Sequence, residues 1–230
     1  MKNIVCIFAH PDDEAFGPGG TIAKLAKENN VYLLCATKGE AGLQVQSSKF
    51  PTSPRLRGAS KVQSLGSVRE KELQKSAKVL GIKKVFFLGF EDGTLCNNLY
   101  HKLADRIREK LEELKPETII TYEPLGVSGH IDHITVAMVT LFVFQKLQFV
   151  KEIMQYCLLK KYVRLRPEYF VYFPPGYEKS QIDKIVYTSD VWETKVKAMY
   201  AHKSQIHDIK RVLSFQEKMP REEYFLVVKK

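Results

Sequence analysis

Apolar runs and amphipathic stretches alternate along the first two thirds of the chain. Asn3–Ala9 is a continuous apolar run, as expected of a strand buried on both faces. Thr21–Asn29 follows with helical spacing, Ile22, Leu25 and Ala26 on one face and Lys24, Lys27 and Glu28 elsewhere. Val31–Thr37 predicts a second strand. Ser67–Leu80 predicts a helix, with Val68, Leu73, Ala77 and Leu80 apolar and Gly81 as its stop. Lys84–Phe90 is a third strand, Leu99–Leu114 a helix that ends before Pro116, Thr118–Tyr122 a fourth strand and Ile131–Phe149 another helix. Strand, helix, strand at this spacing predicts βαβ units and a parallel sheet. With right-handed crossovers the fold is a Rossmann-like three-layer α/β/α sandwich. Beyond residue 150 the pattern weakens: Glu168–Phe173 and Lys184–Thr188 read as strands, Trp192–His202 as a helix. The expected organisation is a single domain over 1–230, with a core in 1–150 and a small strand and helix extension in 151–230.

Gly42–Gly66 interrupts the alternation. It is rich in Ser, Gln, Pro and Gly and has no period, so it reads as a functional loop or a lid. The aromatic strip Tyr169, Phe170, Tyr172 and Phe173 reads as core rather than as a platform for a sugar.

The chain has 230 residues, 44% hydrophobic and 27% charged, which suits a soluble globular domain. Its formal charge of +10 admits an anionic partner but selects none. Basic residues are spread out, with modest clusters such as Lys160, Lys161, Arg164 and Arg166, and read as a solvated surface. Cys6, Cys35, Cys96 and Cys157 form no CxxC pair; Cys6 and Cys35 sit in strand-like runs as small buried hydrophobes. This usage fits a reducing, cytoplasmic setting. The apolar run Ile4 to Ala9 is too short for a signal peptide, and Ile134 to Val150 is broken by Gln145, Lys146 and Gln148, so no membrane span is expected.

Chemistry gathers at two strand ends. The first strand runs into Ala9-His10-Pro11-Asp12-Asp13-Glu14; the fourth runs into Tyr122-Glu123-Pro124-Leu125-Gly126-Val127-Ser128-Gly129-His130-Ile131-Asp132-His133. In open α/β sheets ligands bind outside the carboxyl ends of the strands, so both clusters face one edge. Imidazole and carboxylate together suit zinc and related divalent metals. Two His and one carboxylate make a common catalytic set with an open position. A further carboxylate can take a proton from water, and a His held by an Asp can stabilise an oxyanion and protonate an amine. These are the parts for metal-assisted hydrolysis of an amide or ester. No Gly-x-Gly-x-x-Gly follows the first strand, so a dinucleotide site is disfavoured.

The sequence resembles the zinc-dependent N-acetylglucosaminyl deacetylases, the LmbE-like or PIG-L-like family. The matching pieces are Ala9 to Glu14, Gly39-Glu40-Ala41-Gly42, Arg69-Glu70-Lys71-Glu72-Leu73, Leu88-Gly89-Phe90-Glu91-Asp92-Gly93, Gly129-His130-Ile131-Asp132-His133, and the late Lys197-Ala198 and His202-Lys203-Ser204-Gln205. The resemblance implies that His10, Asp13 and His133 bind zinc and that Asp12 is the general base toward a zinc-activated water. It implies that His130, oriented by Asp132, stabilises the tetrahedral intermediate and protonates the departing amine. Arg69, Asp92 and Glu40 are implied near the substrate, and Glu14 behind the metal loop. The implied partner is a small N-acetylated sugar, an N-acetylglucosamine derivative. Iron stays open beside zinc, because the same ligands serve several metals. A homo-oligomer stays open too. The rival readings are an amidase acting on a thiol–sugar conjugate, and a non-enzymatic Rossmann-like module that binds nucleic acid through its basic surface; no nucleic acid is expected under the leading reading. His101 and His207 read as surface residues.

Overall fold

The computed structural model describes residues 1–42, 64–163 and 172–230. Its strands are β1 (Asn3–Phe8), β2 (Asn30–Cys35), β3 (Lys84–Phe87), β4 (Thr118–Tyr122), β5 (Glu152–Cys157), β6 (Lys184–Tyr187) and β7 (Glu222–Lys229). Its helices are α1 (Asp13–Phe16), α2 (Gly19–Ala26), α3 (Leu65–Leu80), α4 (Tyr100–Leu114), α5 (Ile131–Lys146), α6 (Lys160–Val163), α7 (Trp192–Met199) and α8 (Ile206–Gln216). The strands form one sheet in the order β3-β2-β1-β4-β5-β7-β6. The first five are parallel, and β7 and β6 complete the edge antiparallel. The mostly parallel α/β fold is the one expected from the alternation of elements.

Side-chain alternation in β1 shows why the molecule has three layers. Ile4, Cys6 and Phe8 pack with Ile22, Leu73, Ala77, Met199 and Ile209 on one face. Val5 and Ile7 pack with Leu103, Ile107, Val136 and Val143 on the other. Successive strand residues point to opposite faces, so an unbroken apolar run is what a covered central strand requires. The crossovers from β1 lead to β2 and β3 on one side, and β4 and β5 lie on the other. The switch point therefore falls between β1 and β4, the two strands that carry the chemical clusters.

Helix ends follow local chemistry. The Ser64 side chain accepts from the Ser67 N–H at the start of α3, and Gly81 ends it in the left-handed region. Three elements escape the sequence pattern. In β5 the polar Gln155 is buried within the strand, and in β7 the apolar run Tyr224 to Val228 is preceded by Glu222 and the buried Glu223. The helix α8 follows a short 3-10 turn (Lys203–Gln205) that blurs its start. The expected strand at Glu168–Phe173 lies mostly outside the described residues, as do residues 43–63 of the Gly42–Gly66 loop, and Arg164 and Arg166. Among the described residues no helix is long and apolar enough to cross a membrane.

Glu223 is buried because it is fully paired. Its carboxylate accepts from Gly20 N–H (2.9 Å) and Thr21 N–H (2.7 Å) at the start of α2 and from Lys195 Nζ (2.7 Å) on α7. Lys195 Nζ also donates to Gly17 O (2.6 Å). One ion pair thus fastens β7 and α7 to the turn between α1 and α2. Removing one partner of such a pair strands the other charge in the interior. Lys195→Met should lower unfolding free energy by about 3–5 kcal/mol in urea titration. Lys195→Met with Glu223→Gln should cost less than the single change.

Candidate active site

Asp12 sits in a conformation that non-glycine residues rarely adopt, with φ 110°. Two side chains, Glu14 and Arg69, hold it there. The Asp12 N–H donates to Glu14 Oε2 (3.0 Å). Arg69 Nη2 donates to Asp12 Oδ2 (3.0 Å) and to Pro11 O (2.6 Å), and Arg69 Nη1 donates to Gly39 O (3.0 Å). Glu14 is wholly buried, and its other oxygen accepts from Ser76 and from His202 Nε2 (2.8 Å). Arg69, expected beside the substrate, borders the pocket but spends its guanidinium on this loop. His202 belongs to the support behind the loop.

Three donors converge next to Asp12. His10 Nδ1 lies 3.0 Å from His133 Nε2. Asp13 Oδ1 lies 3.2 Å from His133 Nε2, and Asp13 Oδ2 3.9 Å from His10 Nδ1. The rear of each ring is fixed. His10 Nε2 faces Asp92 Oδ1 (2.9 Å) and Asp132 Oδ2 (3.2 Å), both acceptors. His133 Nδ1 faces Gly126 O (3.1 Å), also an acceptor. Each rear nitrogen therefore carries the hydrogen, and each front nitrogen turns a lone pair inward. Two lone pairs and a carboxylate aimed at one point are stable only around a cation. Ligand atoms about 3.3 Å apart are what tetrahedral bonds of roughly 2.0–2.1 Å require, so the donor set fits zinc or a similar ion. Gly126 permits the approach: with φ 70°, it leaves no side chain where a Cβ would meet the His133 Cβ at 2.7 Å.

Two wider groupings share His10. His10, His130 and His133 offer nitrogens within 4.8 Å of one another, and so do His10, Asp92 and Asp132. The second set could also hold an ion, but its carboxylates are engaged: Asp132 accepts from Gly93 N–H (2.8 Å) and Leu95 N–H (3.1 Å), Asp92 from Ala41 N–H (3.1 Å). Carboxylates behind a metal-binding imidazole orient it and raise its basicity.

Electrostatics reflect this crowding. Burial opposes charge on His10, yet its bonds to Asp132 and Asp92 raise it to about 10. Burial raises Asp13, but His133 and His10 outweigh it and hold the carboxyl far below the usual range. Burial pushes Asp12 up to about 7; Arg69 opposes the shift and Asp13 adds to it. Burial lowers His130 to about 4, with the neighbouring His10 and His133 adding to the effect.

Not every expected residue lands where the sequence reading put it. His130 caps α5, with its Nδ1 accepting from the Asp132 N–H (3.1 Å), and its ring stands 4.7 Å from that of His10. The Asp132 carboxylate was expected on His130; it turns instead to His10, because the adjacent Gly93 and Leu95 amides fix it on that side. His130 is correspondingly held toward its neutral form rather than as a standing cation. Glu40 is exposed, accepts from its neighbour's Lys38 N–H (3.2 Å) and does not border the pocket. Asp92 borders the pocket and also meets His10. Tyr172 is 55% exposed and Phe173 borders the pocket, so these two aromatics are not core; Tyr169 and Phe170 lie outside the described residues. His101 and His207 are exposed, as expected.

The sequence reading assigned no role to Glu123, yet it organises the second loop. Buried at the end of β4, it accepts from Leu125 N–H (2.8 Å), Val127 N–H and Tyr177 Oη (2.9 Å). It thereby holds Val127 at φ 62°. A carboxylate placed just before a Gly- and Ser-rich turn was the available signal. The pocket itself has a volume of about 350 Å³ and takes one wall from α8.

Comparison with known proteins places this geometry. A family model described as "PIG-L: GlcNAc-PI de-N-acetylase" matches residues 5–144. A Bacillus anthracis protein named "Probable N-acetyl-alpha-D-glucosaminyl L-malate deacetylase 2" is 34% identical over 137 residues, 58% of this chain and 56% of its own length. A "1D-myo-inositol 2-acetamido-2-deoxy-alpha-D-glucopyranoside deacetylase" from Kineococcus radiotolerans is 30% identical over 166 residues, 61% of this chain and 44% of its own. The alignments thus take in about half the length of these relatives. The solved structure of N,N'-diacetylchitobiose deacetylase from Pyrococcus horikoshii superposes with a TM-score of 0.70 at 22% identity, over 99% of this chain and 84% of that one; at this distance the likeness is one of fold. With its model spanning the loops after both β1 and β4, the chain belongs to the PIG-L (GlcNAc-PI de-N-acetylase) family.

Proposed function

We propose that the protein is a cytoplasmic, metal-dependent amide hydrolase that removes the acetyl group from an N-acetylglucosamine derivative. The observation that carries this reading is the convergence of His10 Nδ1, Asp13 Oδ1 and His133 Nε2 beside the strained Asp12. The deacetylase names of relatives across the family support the substrate class.

His10, Asp13 and His133 would hold the ion. A divalent metal bound there supplies a Lewis acid and acidifies water. Asp12 acts as general base: its raised proton affinity suits a group that takes a proton near neutral pH. Arg69 anchors one Asp12 oxygen and the Pro11 carbonyl, so the base keeps its place while its charge changes. His130 donates a hydrogen bond toward the developing oxyanion. Asp12 passes the proton it took from water to the departing nitrogen, while neutral His130 keeps its own, leaving acetate and a free amino sugar. Asp92 and Asp132 keep the hydrogen of His10 on its rear nitrogen, so the front nitrogen stays a ligand.

Acetate release from N-acetylglucosamine derivatives, with metal content measured in parallel, tests the proposal. Asp12→Asn should retain about one metal per chain and lose roughly 10²–10⁴-fold in kcat. His133→Ala should lose the metal; a variant that keeps both metal and activity would overturn the ligand assignment. Asp132→Asn should weaken metal affinity by about 10–100-fold through His10. Weakened metal binding would be seen by competition with a chelator, whereas a role confined to His130 would leave affinity unchanged.

A further inference from the structure

Two pieces of the sequence have no part in the proposed chemistry: Glu72 on α3 and the stretch His202-Lys203-Ser204-Gln205. They meet in the structure. Glu72 is buried, and its two carboxylate oxygens accept from the Ser204 N–H (2.9 Å) and the Ser204 hydroxyl (2.6 Å). Those bonds fasten the 3-10 turn Lys203–Gln205 to α3. His202 immediately precedes the turn and is wholly buried, its ring edge-on to that of Phe16 with 6.4 Å between centroids. One oxygen of Glu14 accepts from His202 Nε2 (2.8 Å) and from Ser76; the other accepts from the Asp12 N–H (3.0 Å). Arg69, also on α3, holds the Asp12 carboxylate (3.0 Å). Residues 69, 72 and 76 are spaced three and four apart and share one helix face. That face therefore grips Asp12, the glutamate behind it and the turn that follows His202. The His202 ring makes its contact at a cost. Its Nδ1 is buried without a hydrogen-bond partner among the described residues. A side chain that merely filled the space beside Phe16 would be apolar, because an unpaired buried polar atom is unfavourable. The bond to Glu14 is what offsets that cost.

We propose that His202 is a positioning residue for the general base: through Glu14 it holds the Asp12 backbone at φ 110°, and the bonds between Glu72 and Ser204 hold His202 in place. The role rests on the proposed amide hydrolase and adds the residues that keep its base aligned. Without the His202 donor the buried Glu14 carboxylate lacks a partner, and it turns from the Asp12 N–H to find one. Asp12 then relaxes toward an ordinary φ and its carboxylate leaves the point of attack. Turnover suffers rather than substrate binding, because His202 lies outside the pocket.

The test uses the metal-loaded full chain, with N-acetylglucosamine as substrate and hydrogen exchange of the Asp12 amide as a readout independent of hydrolysis. His202→Met should lower kcat by about 10²-fold, with KM and metal affinity changed by no more than about threefold. His202→Gln, which keeps a donor near the place of Nε2, should recover most of that loss. In His202→Met the Asp12 amide should exchange faster, while the amides of β1 stay as protected as in the wild type. An unchanged kcat overturns the inference. So does a loss of turnover that His202→Gln fails to restore, or one accompanied by equally faster exchange throughout β1, since either marks a residue that only supports the fold. Should His202→Met fail to fold, Ser204→Ala, at a half-buried position, carries the same test by loosening the turn. There kcat should fall by a smaller factor with faster Asp12 exchange, and no change in either overturns the inference. Wild-type protein that binds metal but hydrolyses no N-acetyl sugar, with Asp12 exchange still governed by His202, overturns the hydrolase and leaves the positioning of Asp12 standing.

Discussion

Five carboxylates are packed at one edge of the sheet with little water to screen them: Asp12, Asp13, Glu14, Asp92 and Asp132. Buried charge of one sign is tolerated only where cations and N–H donors meet it. The architecture around the site is a response to that requirement. Arg69 faces Asp12, His202 and Ser76 face Glu14, backbone amides face Asp13, Asp92 and Asp132, and His10 stands between the last two and the pocket. One demand remains after this pairing, at the point where Asp13 and two imidazole lone pairs meet. Despite burial, His10 holds a proton tightly chiefly because Asp132 and Asp92 face its rear nitrogen, with Asp13 adding to the effect. A divalent ion meets the remaining demand.

The two loops are built by the same device. In each, a buried glutamate near a strand end accepts from the N–H of a residue at positive φ: Glu14 from Asp12, Glu123 from Val127. Strain is retained where surrounding bonds over-determine it, and here it sits beside the reacting groups. Asp12 and Val127 are thus placed by buried neighbours behind them. The switch point between β1 and β4 brings both loops to one crevice without any long-range adjustment.

How far this was legible depends on where a residue's partner lies. His10, Asp12, Asp13, His130 and His133 stand in two short motifs at strand ends, so sequence order already implies their meeting. The direction of the Asp132 carboxylate was not legible, because Gly93 and Leu95 are 39 and 37 residues away and nothing local favours His10 over His130. Arg69 was implied near the substrate, but its bonds to the Gly39 and Pro11 carbonyls join residues 30 and 58 positions away and could not be read from its helix. The parallel strands β1 to β4 are apolar runs and announce themselves. β5 and β7 carry Gln155, Glu222 and Glu223, and Glu223 can be buried only because Lys195 is, a dependence no window of residues displays.

That last pair divides the carboxyl-terminal third into two parts with different freedom. The Glu223–Lys195 clasp closes on Gly17, Gly20 and Thr21, within a few residues of the metal loop, so this part of the chain is bound to the catalytic frame. The helix between the two clasp residues, α8, meets the frame through an apolar face and one side of the pocket. Its sequence can change without unfastening the clasp. Substitutions on α8 can therefore reshape one side of the pocket, while the strand that follows it stays under the same constraint as the loops after β1 and β4.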